Sequence, residues 1–343
     1  MNPYYDPAKR HHRPDGFQNN HSEFKPKSLA EVLRWRFDAA RHGLPRPPAE
    51  PVPQVAPDTA FLHANAQAGM QPAVTWIGHA TVLAQLGGLN LLTDPIFSQR
   101  ASPSKVVGPK RHQPPGVALA ELPRVDAVLV SHNHYDHLDG ASVDALSRQR
   151  GGPPLFVVPL GLKPWLASRG IRHAVELDWW ESHRLGEVEV MLLPAHHWSA
   201  RGLNDRMTTL WGGFAVFASD CHLFYAGDTG YSRDFTDIRE RLAPRQSAAH
   251  GGGFDIALLP IGAYEPRWFM STQHVNVPEA VKIHLDLGAK RSLGVHWGTF
   301  ALTDEPLDEP PRLLAEERRR QGLVDDEFST VAIGETLRLP PRV

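Results

Sequence analysis

The run Ser-His-Asn-His-Tyr-Asp-His, Ser131 to His137, follows directly on the apolar stretch Ala127-Val-Leu-Val130. It puts four side chains that bind metals, His132, His134, Asp136 and His137, within six residues. A helix face or a pleated strand would spread such a set, whereas a short loop leaving a strand end aims it at one point. The run therefore requires a fold in which a buried strand opens onto a sheet edge. Imidazole and carboxylate together suit zinc.

Three other segments share this plan. Met191-Leu-Leu193 leads through Pro194-Ala195 to His196-His197, Leu223-Phe-Tyr225 leads to Gly227-Asp228, and Leu293-Gly-Val295 leads to His296. If these strands lie side by side, their ends meet on one edge, where the ligand-bearing loops of α/β proteins gather. With one histidine taken from the pair, the set is five His and two Asp, which suits two metals better than one. A catalytic zinc takes about three protein ligands plus water, so seven divide into two sets sharing a carboxylate. Histidines 11, 12, 21, 63, 112, 222, 250 and 284 are read as ordinary surface or core residues. Asp94, Asp139 and His79 are either partners of ligand imidazoles or turn residues.

Short apolar runs predict strands at Val74–Ile77, Thr81–Leu83, Leu91–Thr93, Ala127–Val130, Leu155–Val158, Val188–Leu193, Gly213–Phe217, Leu223–Tyr225, Ile256–Leu259, Ser292–Val295 and Thr330–Ile333. Asn276-Val-Pro-Glu279 is a capping box opening a helix that should stop at Gly288, and Leu313 to Gln321 reads as a charged helix ended by Gly322. Strands and helices in both halves imply an α/β or α+β sandwich. Residues 1–72 read as an N-terminal arm with a Pro-rich linker, and 73–343 as the catalytic domain. One helix interrupts the arm: Ser28-Leu-Ala-Glu31 fits a capping box, and Leu29, Val32, Leu33, Phe37 and Ala40 share a face with Arg34, Arg36 and Arg41 around it. That face either packs on the core or rests on anionic lipid.

The single cysteine, Cys221, excludes an internal disulfide and leaves the metal site to His and carboxylate. With 36 Lys+Arg against 38 Asp+Glu, no global basic field argues for nucleic acid. No apolar stretch reaches bilayer length and no signal peptide is evident, so the expected location is the cytoplasm, with peripheral contact at the inner face of the membrane.

The His132 to His137 motif resembles that of the metallo-β-lactamase superfamily. Eight segments in order, TWIGHATVL (Thr75 to Leu83), LLTDPIFS (Leu91 to Ser98), VGPKR (Val107 to Arg111), VSHNHYDHLD (Val130 to Asp139), ELDWWE (Glu176 to Glu181), FYAGDTGY (Phe224 to Tyr231), PIGAYEPRWFM (Pro260 to Met270) and HWGTFAL (His296 to Leu302), are similar to those of N-acyl-phosphatidylethanolamine-hydrolysing phospholipases D. The resemblance implies a four-layer αββα sandwich of two mixed β-sheets flanked by helices, with two Zn2+ at one edge. Iron and manganese stay open as alternatives. It assigns His132, His134 and His197 to one ion, Asp136, His137 and His296 to the other, and Asp228 as the bridge. It also chooses His197 over His196, because the family's ligand adjoins the tryptophan matched by Trp198.

Two close metals acidify a bridging water and clamp the attacking and leaving oxygens of a displacement. The expected reaction is attack of that hydroxide on phosphorus, with Asp136 orienting it and His274 donating to the leaving oxygen. Lys105, Tyr264 and Arg267 are the expected substrate-binding residues. The other reading of Arg267 and His274 is a salt bridge or hydrogen bond that fixes their loop. Trp268 and Phe269 read as core or pocket wall. Lys105-Val106 depart from the polar and aromatic pair of the animal enzymes. Expected partners are a phospholipid or other small-molecule substrate, a membrane surface and a second copy in a homodimer; nucleic acid is not expected. The competing functions are a lactone or amide hydrolase, and a metal-stabilised membrane-peripheral binding protein whose catalysis has decayed.

Overall fold

The computed structural model describes residues 1–22, 26–65, 69–202 and 204–342. Two seven-stranded mixed sheets form its centre. Across the first, the order is Thr336–Arg338, Ala73–Gly78, Thr81–Leu86, Leu89–Thr93, Ala127–Leu129, Leu155–Pro159 and Ala174–Leu177. Across the second it is Phe328–Ser329, Ser292–Val295, Ile256–Pro260, His222–Tyr225, Gly213–Phe217, Val188–Leu193 and Ser182–Leu185. Each sheet joins an antiparallel meander to a parallel half.

The parallel strands are apolar on both faces because both are covered. Ala127 and Leu129, with Leu155 and Val157, face the core between the sheets. Val128 and Val130, with Phe156 and Val158, face an outer core shared with the helices Gly140–Leu146 and Lys163–Ser168. On the far side, Val277–Leu287 packs Val281 and Ile283 inward beside Asp234–Leu242 and Glu309–Gln321. The four αββα layers are those expected.

Local signals operate as read. Asn276 and Glu279 close their capping box, and Gly288 ends that helix in the left-handed conformation at φ 62°. The charged helix starts four residues earlier than its apolar pattern, at Glu309, since Pro310 sits in the first turn where no N–H is needed.

Two expectations are corrected. Thr330–Ile333 is not a strand: the chain leaves the second sheet after Ser329 and joins the first at Thr336, so these residues are the crossover, and Ile333 makes one bridge to Gln54. The arm helix Leu29–His42 has its capping box, yet it docks through Trp35 and Ala39 against Phe269 and Met270. Trp35 wins the buried position because its ring packs on Phe269 at 4.8 Å and its Nε1–H donates to Asp304. Leu29, Leu33 and Phe37 are left 74%, 60% and 67% exposed. Elsewhere in the first seventy-two residues, Phe17 and Val52 belong to the inter-sheet core and Leu62 to the outer one; 23–25 and 66–68 of the expected arm lie outside the described residues.

Candidate metal centre

The strand directions bring the ligands to one edge. Ala73–Gly78, Leu89–Thr93 and Ala127–Leu129 run the same way and end at His79, Asp94 and the Ser131–His137 loop. In the other sheet Val188–Leu193, His222–Tyr225, Ile256–Pro260 and Ser292–Val295 also run one way, and three of them end at His197, Asp228 and His296. His79, Asp94 and His296 turn out of their strands with positive φ, 54°, 30° and 64°. Non-glycine residues seldom adopt this conformation, and such strain collects at functional sites.

The seven expected ligands form two groups about Asp228. His132, His134 and His197 offer nitrogens that all lie within 4.8 Å of one another, and a carboxylate oxygen of Asp136 lies equally close to nitrogens of His137, His296 and His79. Asp228 Oδ2 lies 3.1 Å from His137 Nε2, 3.9 Å from His197 and 4.0 Å from His132, while Oδ1 lies 3.1 Å from His296 Nε2. Its carboxylate thus faces both groups. His134, Asp136 and His274 are partly exposed, which marks the open side; the others are buried.

Hydrogen bonds behind the rings fix which nitrogen points inward. His137 Nδ1–H donates to Asp94 at 2.6 Å, and His197 Nδ1–H donates to the Gln273 carbonyl at 2.9 Å. Ser131 Oγ–H donates to Asp94, so its oxygen accepts from His132 Nδ1–H at 2.9 Å. Asp94 also accepts from the Ser131 amide and from Tyr225. Three Nε2 atoms, those of His132, His137 and His197, therefore turn toward the buried Asp228 carboxylate, an arrangement that suits a cation. The donor set fits metal ions.

The electrostatics agree. Burial lowers His132 far below its ordinary value, His134 to about 4 and His197 to about 3, leaving neutral imidazoles. Burial opposes charge on Asp136 and Asp228 too, but His137 and its neighbours hold both far below the usual carboxylate range. Against burial, Asp228 and Asp136 lift His137 well above its ordinary value and His296 to about 9. The carboxylates draw positive charge to themselves.

A model of the β-lactamase superfamily domain matches residues 89–297, more than half of the chain. N-acyl-phosphatidylethanolamine-hydrolyzing phospholipase D 1 of Caenorhabditis elegans is 42% identical over 273 residues, covering 76% of this chain and 74% of that protein. The chain belongs to the N-acyl-phosphatidylethanolamine-hydrolyzing phospholipase D family of the metallo-β-lactamase superfamily. An uncharacterized protein of Mycobacterium tuberculosis is 45% identical over 308 residues, 88% of this chain and 75% of its own length. The isothiocyanate hydrolase from Delia radicum gut bacteria shares the fold, with a TM-score of 0.60 at 19% identity over 78% of this chain and 99% of that one.

Around this metallo-β-lactamase centre the other expected residues separate. His274 Nδ1 lies 3.8 Å from Asp228, with burial pushing it down to about 3. Lys105 lines an open cavity of about 730 Å3 with Ser98, Tyr135, Asp139, Trp165 and Arg201. Tyr264 and Arg267 are turned to internal partners. The buried Tyr264 hydroxyl donates to Glu309 at 2.7 Å, and the Arg267 guanidinium donates to Glu279 at 2.7 Å and to the His274 carbonyl at 2.8 Å. The loop-fixing reading of Arg267 is the one the geometry matches. Asp94 stands behind a ligand, whereas Asp139 caps the helix Gly140–Leu146. His79 Nε2 lies 3.0 Å from Asp136, and its carbonyl accepts from the His296 amide. His196 faces away, with Nε2 3.1 Å from Ser22 Oγ. Sequence reasoning missed Asn19, which bonds the main chain of His197; no spacing or motif marks it.

Proposed function

We propose that this metallo-hydrolase is a phosphodiesterase of the phospholipase D type that uses two zinc ions to cleave N-acyl-phosphatidylethanolamine or a related phospholipid. The observation that carries the reading is the pair of ligand groups on either side of Asp228, in a chain 42% identical to a protein of that name. His132, His134 and His197 would hold one ion, and Asp136, His137 and His296 the other. Such a pair supplies an acidified water and positive charge for the phosphoryl oxygens.

The chain's own residues do the rest. Asp136, ionised and on the open side, accepts a hydrogen bond from the attacking water and aligns it for in-line entry. Water adds to phosphorus as the bond to the N-acylethanolamine oxygen breaks, and the proton that Asp136 takes from the water ends on that leaving oxygen. His274 is neutral near pH 7, so it hydrogen-bonds the leaving oxygen and is a poor proton donor. Lys105, exposed on the cavity that Tyr135 of the 132–137 loop also lines, attracts the anionic head group toward that loop. Among the described residues no helix is long and apolar enough to cross a membrane. Exposed Leu29, Leu33 and Phe37, with exposed Arg36 and Arg41 on the same helix, support a peripheral contact with anionic lipid.

The test is to incubate zinc-loaded protein with vesicles of N-acyl-phosphatidylethanolamine, and separately with lactones and amides. Phosphatidic acid and N-acylethanolamine in equal amounts are expected. Ring opening or amide cleavage without either product would transfer the site to carbon chemistry and end the phosphodiesterase reading.

A further inference from the structure

The Pro194–Trp198 loop, which delivers His197, leaves its strand at Leu193, so its backbone needs partners from elsewhere. His196 finds them in the loop that carries Asp228: its amide donates to Thr229 Oγ1 and its carbonyl accepts from Gly230. Both backbone groups of His197 are taken by one side chain. Asn19 Oδ1 accepts from the His197 amide at 3.1 Å, and Asn19 Nδ2 donates to the His197 carbonyl at 3.0 Å. Asn19 Oδ1 also accepts from Trp211 Nε1 at 3.2 Å, and the residue is 4% exposed. This amide does for His197 what a neighbouring strand would do.

The segment that carries Asn19 is itself tied down. Asp178, buried, receives Lys9 Nζ at 2.5 Å, His11 Nε2 at 2.6 Å and His12 Nε2 at 3.0 Å. His11, His12 and Asp178 have the spacing of a metal site. Two contacts argue otherwise. The Asp6 amide donates to His12 Nδ1, so His12 Nε2 carries the proton and donates to Asp178, and a lysine ammonium already sits on the carboxylate. The cluster is a clasp, helped by His11 stacked on Trp179. Nearer Asn19, a Cβ on Gly16 would fall 2.2 Å from the Met207 carbonyl, the group that accepts from the Phe17 amide at 2.9 Å, so only glycine lets the chain lie so close.

We infer that the first twenty-two residues are a strap for the metal centre, clasped at Asp178, in which Asn19 is a positioning residue that sets the His197 backbone and thereby one half of the metal site. This rests on the reading of His197 as a metal ligand. Orienting partners of this kind change metal affinity by about 10- to 100-fold.

The experiment measures Zn2+ affinity of the full chain by chelator competition, and the visible spectrum of the Co2+-loaded protein, for Asn19→Ala, Asn19→Asp and His197→Ala. Asn19→Ala should weaken one of two metal equivalents by about tenfold or more, with a shifted cobalt spectrum. Asn19→Asp, which keeps the acceptor and loses the donor, should fall between it and the parent. If circular dichroism shows that Asn19→Ala does not fold, Asn19→Asp is judged on whether one equivalent alone is weakened. Both equivalents within twofold of the parent, or both weakened alike, would overturn the strap while His197→Ala still loses an equivalent. A His197→Ala protein that keeps both at full affinity would sink the ligand reading and the strap with it.

Discussion

Asp228 lies within 4.0 Å of His132, His137, His197, His274 and His296. Its carboxylate stands between the two ligand groups, so Asp228→Ala should release both metal equivalents and lower hydrolysis by more than about a hundredfold. Metal analysis beside the assay decides it; two retained equivalents refute the bridge. Ionisation gives a second prediction for the same centre. His296 at about 9 and His137 well above its ordinary value both carry protons near pH 7.5 in metal-free protein, while His134 and His197, at about 4 and 3, do not. Metal uptake at that pH should expel about two protons, both from the Asp136 side. Calorimetric titration in buffers of different ionisation enthalpy reads this directly, and uptake without release would contradict it. The His132 to His137 candidates were legible because the cluster is local, and Asp228 and His296 because each follows an apolar strand; the strand exit at Leu193 left His196 and His197 open, and the family resemblance chose between them. Asn19, and the choice between Asp94 and Asp139, were not: those roles depend on contacts across 178 and 43 residues.

The helix Leu29–His42 shows what element-level reasoning can and cannot reach. Its N-terminal cap is local and was readable from Ser28 and Glu31, and Gly43 ends it in the left-handed conformation. Its docking face was not, because the aliphatic periodicity omits Trp35, whose partners Phe269, Met270 and Asp304 lie more than 230 residues away. Trp35→Ala should therefore undock the helix at a cost of about 3 kcal/mol, seen as faster amide exchange across 29–42. Zinc affinity should be unchanged, since no ligand rests on that helix. Protection equal to the parent would mean the helix is held by something else. Thr330–Ile333 failed for a related reason: β-branched composition favours extended chain, but pairing is decided by which sheet is within reach.

The candidate metal centre joins the two sheets, the first providing the candidate ligands of 132–137 with His79 and Asp94 behind them, the second His197, Asp228 and His296. Cations bound there stabilise the whole sandwich by mass action, by about 4 kcal/mol when free metal exceeds its dissociation constant a thousandfold. Chelation should lower the thermal midpoint, and metal should restore it; equal midpoints with and without chelator would show that the sheets hold without the ions. Short apolar runs and helical patterns in both halves made an α/β or α+β sandwich legible, and the family resemblance supplied its four layers. The order of strands within each sheet was not, since it depends on crossovers. One such crossover places Thr336 beside Thr75, their hydroxyls 2.8 Å apart across 261 residues of chain. A ribosome adds about 5–20 residues per second, so Ala73–Gly78 waits roughly 13 to 50 s after synthesis before its outer neighbour exists. During that interval the nascent chain presents an open β-edge, and its protection falls to the cell's chaperones.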